Sequence, residues 1–280
     1  TKAGTEGFYV VPTRSFGPFD DYVRKNGVSL AKPDDTVVRA AVEGADLVHL
    51  MLPFTLSKAA LAIAIECGIP TTAGVHLMAE NFSMHLFMGG VKLANRVVYE
   101  HFFDVIGKCD AVHYVTKFLR DLYEGMFGET NGYVISNGVN DRFRPCGEPD
   151  LSDGFYRIIY TGRLAREKNQ KALIDAVALS KHRDKIKVTF AGCGPLSDYL
   201  HKRVKRKKIN AEFGFFSRDE LVKKLNESYL YVHAAKVEAE GIGCLEAIAC
   251  GTVPIMCNSP KSATKDYALC PQSLFALGKP

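Results

Sequence analysis

The first half of the chain alternates short β-rich runs with longer stretches of helical periodicity. Five runs rich in β-branched and aromatic residues predict strands, at 8–12, 45–53, 69–75, 111–116 and 132–136. Apolar residues spaced three and four apart predict helices between them, at 57–68, 91–108 and 117–128. Strands that alternate with helices indicate a parallel sheet covered by helices.

The second half repeats this rhythm after a break. Residues 136–154, SNGVNDRFRPCGEPDLSDG, are rich in Asn, Gly, Pro and Asp and predict a linker. Further strands are predicted at 156–162, 186–192, 211–216, 229–234 and 252–257, with helical patterns between them. We therefore predict an α/β protein of two facing, doubly wound domains, 1–141 and 142–280. Ligands bind such open sheets at the carboxyl ends of the strands, so the loops there are the places to search.

Composition narrows the class of protein. A chain of 280 residues that is 47% hydrophobic is long enough for two domains with real cores. The net charge of +5 suits a phosphate ligand or an anionic membrane surface, whereas the lack of a basic tract with interleaved aromatics argues against nucleic acid. The eight cysteines form no CxxC pair, which indicates reduced thiols in a cytoplasmic protein. No apolar run is long enough to span a bilayer, and no signal peptide is visible.

A basic cluster follows the predicted strand 156–162. In YTGRLAREKN (160–169) the cations Arg163, Arg166 and Lys168 lie between a strand end and a helix that Asn169 is predicted to cap. Charged donors and helix amides that converge at such a place suit a diphosphate, although solvated loop cations explain the motif equally well. Motifs of the types GxGxxG and GxxxxGK[ST] are absent.

Two more strand ends carry glycine-rich turns. The turn AGCGP, with Gly192 and Gly194, permits close approach of a ligand to the backbone, but an ordinary tight turn accounts for it too. In EAEGIGCLE (238–246), Glu238 and Glu246 flank a predicted helix start at 241–243. Carboxylates accept hydrogen bonds from sugar hydroxyls, while the alternative is a solvated Glu238 and a Glu246 that interacts with the helix dipole. A metal site would need more acidic or His ligands.

These motifs together resemble a known family. GRLAREK, AGCGP and Glu238…Glu246 within EAEGIGCLEAIACGTVPI resemble the donor-binding domain of the retaining glycosyltransferases of family 4, which have the GT-B fold. VISNGVNDRFRP is similar to the crossover between the two domains of that family. SLAKPDD, DLVHLMLPF and TAGVHLMAEN are similar to a bacterial branch that glucosylates diacylglycerol. Family members carry an earlier strand with a Gly-rich loop and further C-terminal helices, so this chain is expected to be incomplete at both ends.

The resemblance implies a role for each matching residue of the second half. Arg163 and Lys168 would hold the diphosphate of a UDP-sugar and stabilise the charge of the leaving group. Glu238 would bind donor-sugar hydroxyls and Glu246 the ribose hydroxyls. The remaining donor-binding positions implied are Gly162, Gly192, Gly194, Phe216, Gly241, Ile242 and Gly243.

The resemblance also implies residues of the first half and a mechanism. His76 would contact the donor sugar, and Glu80 and Asn81 would face the acceptor. Transfer would retain the anomeric configuration without a covalent intermediate, because the departing phosphate removes the acceptor proton. No metal or other cofactor is expected, since Arg163 and Lys168 take its place.

The acceptor implied is a membrane lipid such as diacylglycerol. Residues 85–103 mix apolar and basic side chains and 201–209 are strongly basic, so both could contact an anionic membrane, although a core helix and a solvated basic face are the commoner explanations. The expected location is cytoplasmic, peripheral on the inner face of the cell membrane. Two alternatives remain: transfer to a saccharide, and a noncatalytic sugar- or nucleotide-binding protein of the same fold.

Overall fold

The chain forms two compact units, Thr1–Ser136 and Asn137–Pro280. The computed structural model describes residues 5–15, 17–20, 29–83 and 91–278. The division falls slightly before the predicted boundary at 141/142, because the linker is fixed to the second unit. The backbone N–H and the side-chain amide of Asn137 donate to the Glu240 carboxylate, at 2.9 and 2.5 Å, and Phe143 packs in the second core.

The first unit contains a four-stranded parallel sheet in the order β1-β2-β3-β4. Its strands are β1 (Val48–Leu50), β2 (Thr71–Val75), β3 (Ala111–Tyr114) and β4 (Gly132–Val134). Its helices are α1 (Asp35–Val42), α2 (Thr55–Glu66), α3 (Ala79–Ser83), α4 (Lys92–Ile106) and α5 (Lys117–Phe127). These bounds confirm the three predicted helices and four of the five predicted strands. The segment 84–90, which begins the predicted amphipathic region 85–103, lies outside the described residues.

The strand predicted at 8–12 is wrong. Phe8, Tyr9 and Val10 are each about half exposed, and the backbone there joins no ladder of the described residues. An isolated antiparallel bridge joins Thr13 to Ala31 nearby. A β-rich composition only becomes a strand when a partner strand accepts its hydrogen bonds, and sequence alone does not show the partner.

The second unit contains a six-stranded parallel sheet in the order β10-β9-β8-β5-β6-β7. Its strands are β5 (Tyr156–Thr161), β6 (Ile186–Ala191), β7 (Ala211–Gly214), β8 (Leu230–His233), β9 (Val253–Asn258) and β10 (Leu274–Ala276). Its helices are α6 (Gln170–Leu179), α7 (Ser197–Lys207), α8 (Arg218–Asn226) and α9 (Ile242–Ala249). All five predicted strands are confirmed, and β10 is an addition.

Both faces of the second sheet are covered, as predicted for a doubly wound domain. Alternate residues of β5 point to opposite faces: Ile158 and Tyr160 pack against α6 and α7, whereas Ile159 packs with α8 and α9. The strand order reverses at β5, which lies between β6 and β8. Such a reversal opens a crevice at the carboxyl ends of the two strands that diverge, here β5 and β8. The predicted basic cluster follows β5 and the predicted Glu238 loop follows β8, so the fold brings them together.

Two further observations concern the whole described chain. No described helix has the length and hydrophobicity needed to cross a bilayer. All eight cysteines are free, and Cys244, Cys250 and Cys257 are buried.

Candidate active site

The loop after β5 presents two cations at the crevice. Gly162 follows the strand with a φ of 127°, a conformation that favours glycine, and a 3-10 turn spans Arg166–Lys168. The Arg163 guanidinium donates to the Glu167 carboxylate over 2.7 Å and keeps about a third of its side chain exposed. Asn169 occupies the N-cap position of α6, as predicted. However, it has a left-handed φ of 53° and its side chain makes no capping hydrogen bond, so the predicted side-chain cap is wrong.

Lys168 meets Glu238 across the crevice. Its ammonium donates to Oε2 of Glu238, and the Nε2 atom of His233 lies 3.1 Å from the same oxygen. The Glu238 side chain is only 11% exposed. Burial alone would raise the pKa of this carboxyl, but the attraction of Lys168 and the hydrogen bond from His233 outweigh it and lower the pKa to about 2. Glu238 is therefore an anion paired with the Lys168 ammonium of the β5 loop.

The loop that carries Glu238 is fixed on both sides. The backbone N–H of Glu238 donates to the carbonyl of Lys261, and its carbonyl accepts from Ala263, both over 3.0 Å. The N–H of Lys236 donates to the carbonyl of Glu167 over 2.7 Å. This last bond links the β8 loop directly to the β5 loop, so the distance between the cations and the carboxylate is set by the backbone.

The glycines of this region are required by the protein's own packing. A Cβ at Gly192 would lie 2.1 Å from the carbonyl oxygen of Gly162, and a Cβ at Gly194 would lie 2.6 Å from that of Leu164. A Cβ at Gly243 would lie 2.2 Å from the Thr161 hydroxyl oxygen. These contacts explain the glycines through loop packing, and direct approach of a ligand to Gly192 and Gly194 stays a prediction.

The start of α9 lies beside Glu238. Gly241 occupies the N-cap position with a φ of 83°, and Ile242 and Gly243 open the helix. Amides in the first turn of a helix lack carbonyl partners within it, and they carry partial positive charge that suits an anion. Glu246 lies one turn further and is half-buried, and its side chain makes no hydrogen bond or ion pair within the described residues. Burial raises the pKa of Glu246, and only the more distant Arg218 opposes this.

Phe216 lies apart from the ion pair. Its ring packs against the core between the second sheet and helices α8 and α9, and the Lys224 ammonium lies 4.5 Å from the ring centroid. A Cβ at Gly214 would meet the ring at 2.6 Å, so the ring closes over the end of β7. This gives Phe216 a packing role, and its contact with a nucleotide base stays a prediction.

The first unit places His76 in a group of three imidazoles. His76 follows β2, and its ring meets that of His113 edge-on at 5.6 Å; the rings of His113 and His49 are 6.5 Å apart. The Nδ1 atom of His49 lies 2.7 Å from the Thr72 hydroxyl. Burial, with a smaller contribution from His113, lowers the pKa of His49. His76 lies at the carboxyl end of β2, and the three rings form one group there.

The two predicted acceptor residues lie on the short helix α3. Glu80 is 6% exposed and accepts a hydrogen bond from the Tyr99 hydroxyl over 2.6 Å. Burial is the main cause of the raised pKa of Tyr99. Asn81 is half-buried, and its side-chain oxygen has no hydrogen-bond partner in the described part of the chain. Glu80 thus has a partner in the interior, and an acceptor contact for either residue stays a prediction.

Three residues of the second-unit site were not found from the sequence: Glu167, His233 and Glu240. Glu167 had a usable signal, since an acid four positions after Arg163 is a common helical pairing. Glu240 is 4% exposed and binds Asn137, more than a hundred positions earlier, which no local pattern shows. Within the described residues no group of three or more His, Cys, Asp or Glu side chains is placed to hold a metal.

Comparison with known families identifies the class of protein that this fold and site define. A model described as Glycosyltransferase Family 4 matches residues 6–143, and one described as Glycosyl transferases group 1 matches residues 148–264. Each match corresponds to one of the two units. The chain belongs to the glycosyltransferases that combine these two domains in the GT-B fold.

The chain is also similar to several individual proteins. Alpha-monoglucosyldiacylglycerol synthase of Streptococcus pneumoniae is 24% identical over 231 residues, which are 77% of this chain and 52% of that one. The chain thus spans about half the length of this curated relative. HepE of Anabaena, solved in complex with UDP-glucose, matches with a TM-score of 0.70 over 95% of this chain and 77% of that one, at 16% identity. The catalytic domain of cholesterol-alpha-glucosyltransferase from Helicobacter pylori is 46% identical over 43% of this chain and 76% of that one, with a TM-score of 0.42.

Proposed function

We propose that the protein transfers glucose from UDP-glucose to the hydroxyl group of a membrane lipid such as diacylglycerol, with retention of the anomeric configuration. The observation that carries the donor half is the Lys168–Glu238 ion pair at the divergence of β5 and β8. Its cation suits a diphosphate and its carboxylate suits sugar hydroxyls. The HepE structure, which shares the fold, holds UDP-glucose, and this supports the choice of donor.

The positions of the cations and carboxylates would allow a UDP-sugar to bind in one orientation. The diphosphate would lie between Arg163, Lys168 and the free amides at the start of α9. The sugar would extend toward Glu238 and the ribose toward the half-buried Glu246. The contact with the donor sugar that the resemblance implies for His76 also stays a proposal. Each of these contacts is part of the proposal.

The proposed reaction breaks one bond at the sugar and forms another. The bond between the sugar C1 and the oxygen of the β-phosphate breaks, and its electron pair stays on the phosphate, whose charge Arg163 and Lys168 stabilise. The acceptor oxygen attacks C1 on the face that the phosphate leaves. The acceptor proton passes to an oxygen of the departing diphosphate. Glu238 orients the sugar and forms no covalent bond, which distinguishes this scheme from the two-carboxylate mechanism of retaining glycosidases.

The donor half is tested by UDP binding. UDP should raise the melting temperature of the wild-type protein, and Lys168→Ala and Arg163→Ala should each weaken its dissociation constant by about tenfold or more, since each removes a charge-assisted contact. Lys187→Ala is the matched control, because Lys187 pairs with Asp153 over 3.2 Å at the opposite, amino-terminal end of the same sheet. No melting shift with UDP in the wild type, or equal affinities for all four proteins, contradicts the proposed donor site.

Two exposed surfaces favour a lipid acceptor over a soluble saccharide. On α4 in the first unit, Leu93 and Val97 lie one turn apart and are 75% and 56% exposed. In the second unit, Arg183 donates to the carbonyls of Lys207 and Lys208 at 2.8 and 3.3 Å and joins the loop 181–185 to the end of α7. The resulting basic surface consists of Lys181, Arg183, Lys185, Lys202, Lys205, Arg206, Lys207 and Lys208.

The basic surface has too few acids to neutralise it. Among the described residues, the ion pair recorded for it joins Arg183 to Asp184 at 3.8 Å. Leu179 beside it is 75% exposed. A cation near an anionic leaflet gains about 1 kcal/mol, so a surface of this size can hold a protein on a membrane. The basic surface lies at the amino-terminal ends of the strands, whereas the crevice lies at their carboxyl ends. This surface would therefore anchor the protein and would not receive the acceptor.

Vesicles distinguish the possible acceptors. The protein should sediment with phosphatidylglycerol vesicles and not with phosphatidylcholine vesicles, and Lys205→Glu/Arg206→Glu should abolish sedimentation while leaving UDP affinity unchanged. With radiolabelled UDP-glucose and vesicles that contain diacylglycerol or a sterol, label should enter the organic phase. Label found only in a water-soluble saccharide would contradict the proposal of a lipid acceptor. Donor binding without transfer or hydrolysis would contradict the proposal that the protein is an enzyme.

A further inference from the structure

A buried row of polar side chains leads from the centre of the second sheet to Glu238. The Thr161 hydroxyl lies 3.2 Å from that of Tyr231, and the Tyr231 hydroxyl lies 3.2 Å from Nδ1 of His233. The Nε2 atom of His233 lies 3.1 Å from Oε2 of Glu238. Tyr231 is fully buried and His233 is 3% exposed, so water does not compete for these bonds.

One tautomer of His233 gives the row a direction. An ionised carboxylate only accepts hydrogen bonds, so Nε2 of His233 carries the hydrogen that it donates to Glu238. In the tautomer with a hydrogen on Nε2 alone, Nδ1 accepts from the Tyr231 hydroxyl, and the Tyr231 oxygen in turn accepts from Thr161. In this arrangement every donor in the row points toward Glu238.

The row leaves one carboxylate oxygen available. Lys168 and His233 both bind Oε2 of Glu238, and Oε1 accepts no hydrogen bond within the described residues. A Cβ at Gly241 would lie 2.3 Å from Cγ2 of Thr264 and 3.3 Å from Cγ of Glu238, so the packing beside the carboxylate leaves no room for a side chain at this position. Two donors on one oxygen prevent the carboxylate from rotating and keep the other oxygen turned away from them.

We propose that Thr161, Tyr231 and His233 form a directed hydrogen-bond chain in which His233 is a positioning residue that orients Oε1 of Glu238 toward a hydroxyl of the donor sugar. The inference rests on the proposed function and deepens it, because it assigns a specificity role to residues that would not themselves touch the donor. Loss of these hydrogen bonds should therefore impair the binding and transfer of the donor sugar, while the affinity for the nucleotide should stay unchanged.

Tyr231→Phe tests the chain with the smallest change of shape. The variant removes the hydroxyl that fixes the His233 tautomer, so we expect kcat/KM for UDP-glucose to fall roughly ten- to a hundredfold, the range for one misplaced hydrogen bond to a charged group. The dissociation constant of UDP should stay within about twofold. Tyr114→Phe is the matched control: Tyr114 is also fully buried and bonds a threonine hydroxyl over 3.2 Å, but it lies in the first unit. The control should lose stability without loss of turnover.

His233 itself is tested by two variants and by NMR. His233→Gln keeps an N–H near Nε2 and should retain much more activity than His233→Leu, although both change the ring. Long-range ¹H–¹⁵N spectra, assigned with these variants, should show a neutral His233 with its hydrogen on Nε2, and Tyr231→Phe should shift this signal.

The outcomes separate this inference from the proposed function. If the wild type neither binds UDP nor uses UDP-glucose, the proposed function fails. If the wild type transfers glucose but Tyr231→Phe has wild-type kcat/KM, or His233 carries its hydrogen on Nδ1, the positioning role is overturned. Equal losses in His233→Gln and His233→Leu would likewise show that the donated hydrogen is not what matters.

Discussion

Replacing Lys168 with Met is the perturbation that probes the candidate site most deeply. The substitution keeps a long side chain but removes the cation that faces the buried Glu238. The pKa of Glu238 is held at about 2, against an ordinary value of 4.5, mainly by Lys168 against the opposing effect of burial. Each unit of pKa corresponds to about 1.4 kcal/mol, so the environment of the folded protein stabilises the ionised form by about 3 kcal/mol.

The sign of the pH dependence follows from the direction of this pKa change. The folded pKa lies below the unfolded one, so the contribution to stability is present in full above pH 5 and is lost as the pH falls toward 2. At pH 7, Lys168→Met should destabilise the second unit by about 3 kcal/mol, because it leaves a buried, ionised carboxylate with one donor. Its deficit relative to the wild type should be smaller at pH 4.

Urea unfolding of the second unit at both values of pH measures this. Glu238→Gln in the Lys168→Met background should recover most of the loss, since the buried charge is gone. Lys171→Met is the control, because Lys171 is 55% exposed and pairs with Asp175 over 3.4 Å, an arrangement that contributes little. A Lys168→Met protein as stable as the wild type at pH 7, or no recovery in the double variant, would show that the Lys168–Glu238 pair does not stabilise the second unit.

Three further predictions concern residues around the ion pair. Gly243→Ala should lower the melting temperature, since its Cβ would lie 2.2 Å from the Thr161 hydroxyl, and Thr161→Ala should relieve part of the loss. Glu240→Ala should destabilise the second unit by about 1–3 kcal/mol in urea, because Asn137 loses both hydrogen-bond acceptors, whereas Glu240→Gln should recover part of it. Glu246→Gln should weaken the binding of UDP more at pH 7 than near pH 4.5, where the raised pKa of Glu246 leaves more than half of the wild-type carboxyl protonated; an equal effect at both values of pH would contradict the ribose contact.

Much of the second unit could be predicted from the sequence because its signals are local. Each strand of the central sheet is a short apolar run such as YRIIY, and each helix has its own periodicity. The basic cluster and Glu238 were located as loops after β5 and β8, and a general property of doubly wound sheets then brings them to one crevice. The strand order that makes β5 and β8 neighbours came from the structure.

The remaining features depend on contacts between distant residues. The run FYVVP has strand composition, but whether it pairs depends on a partner elsewhere in the chain. Glu240 had no role in any local pattern, since its partner Asn137 lies in the linker. His233 falls within the predicted strand 229–234, and its place between Tyr231 and Glu238 depends on side-chain geometry. The glycines at 192 and 194 are compatible with a ligand or with a tight turn, and the structure adds that the loops there pack too closely for a side chain.

Product analysis tests the proposed glucosyl transfer. The protein is incubated with UDP-[¹³C]glucose and vesicles of diacylglycerol and phosphatidylglycerol, and the lipid extract is examined by NMR. We expect a glucosyl lipid whose anomeric carbon keeps the α configuration of the donor, and none when Glu238 is replaced by Gln. A product of β configuration, or label that remains in UDP-glucose while UDP fails to bind, would contradict it.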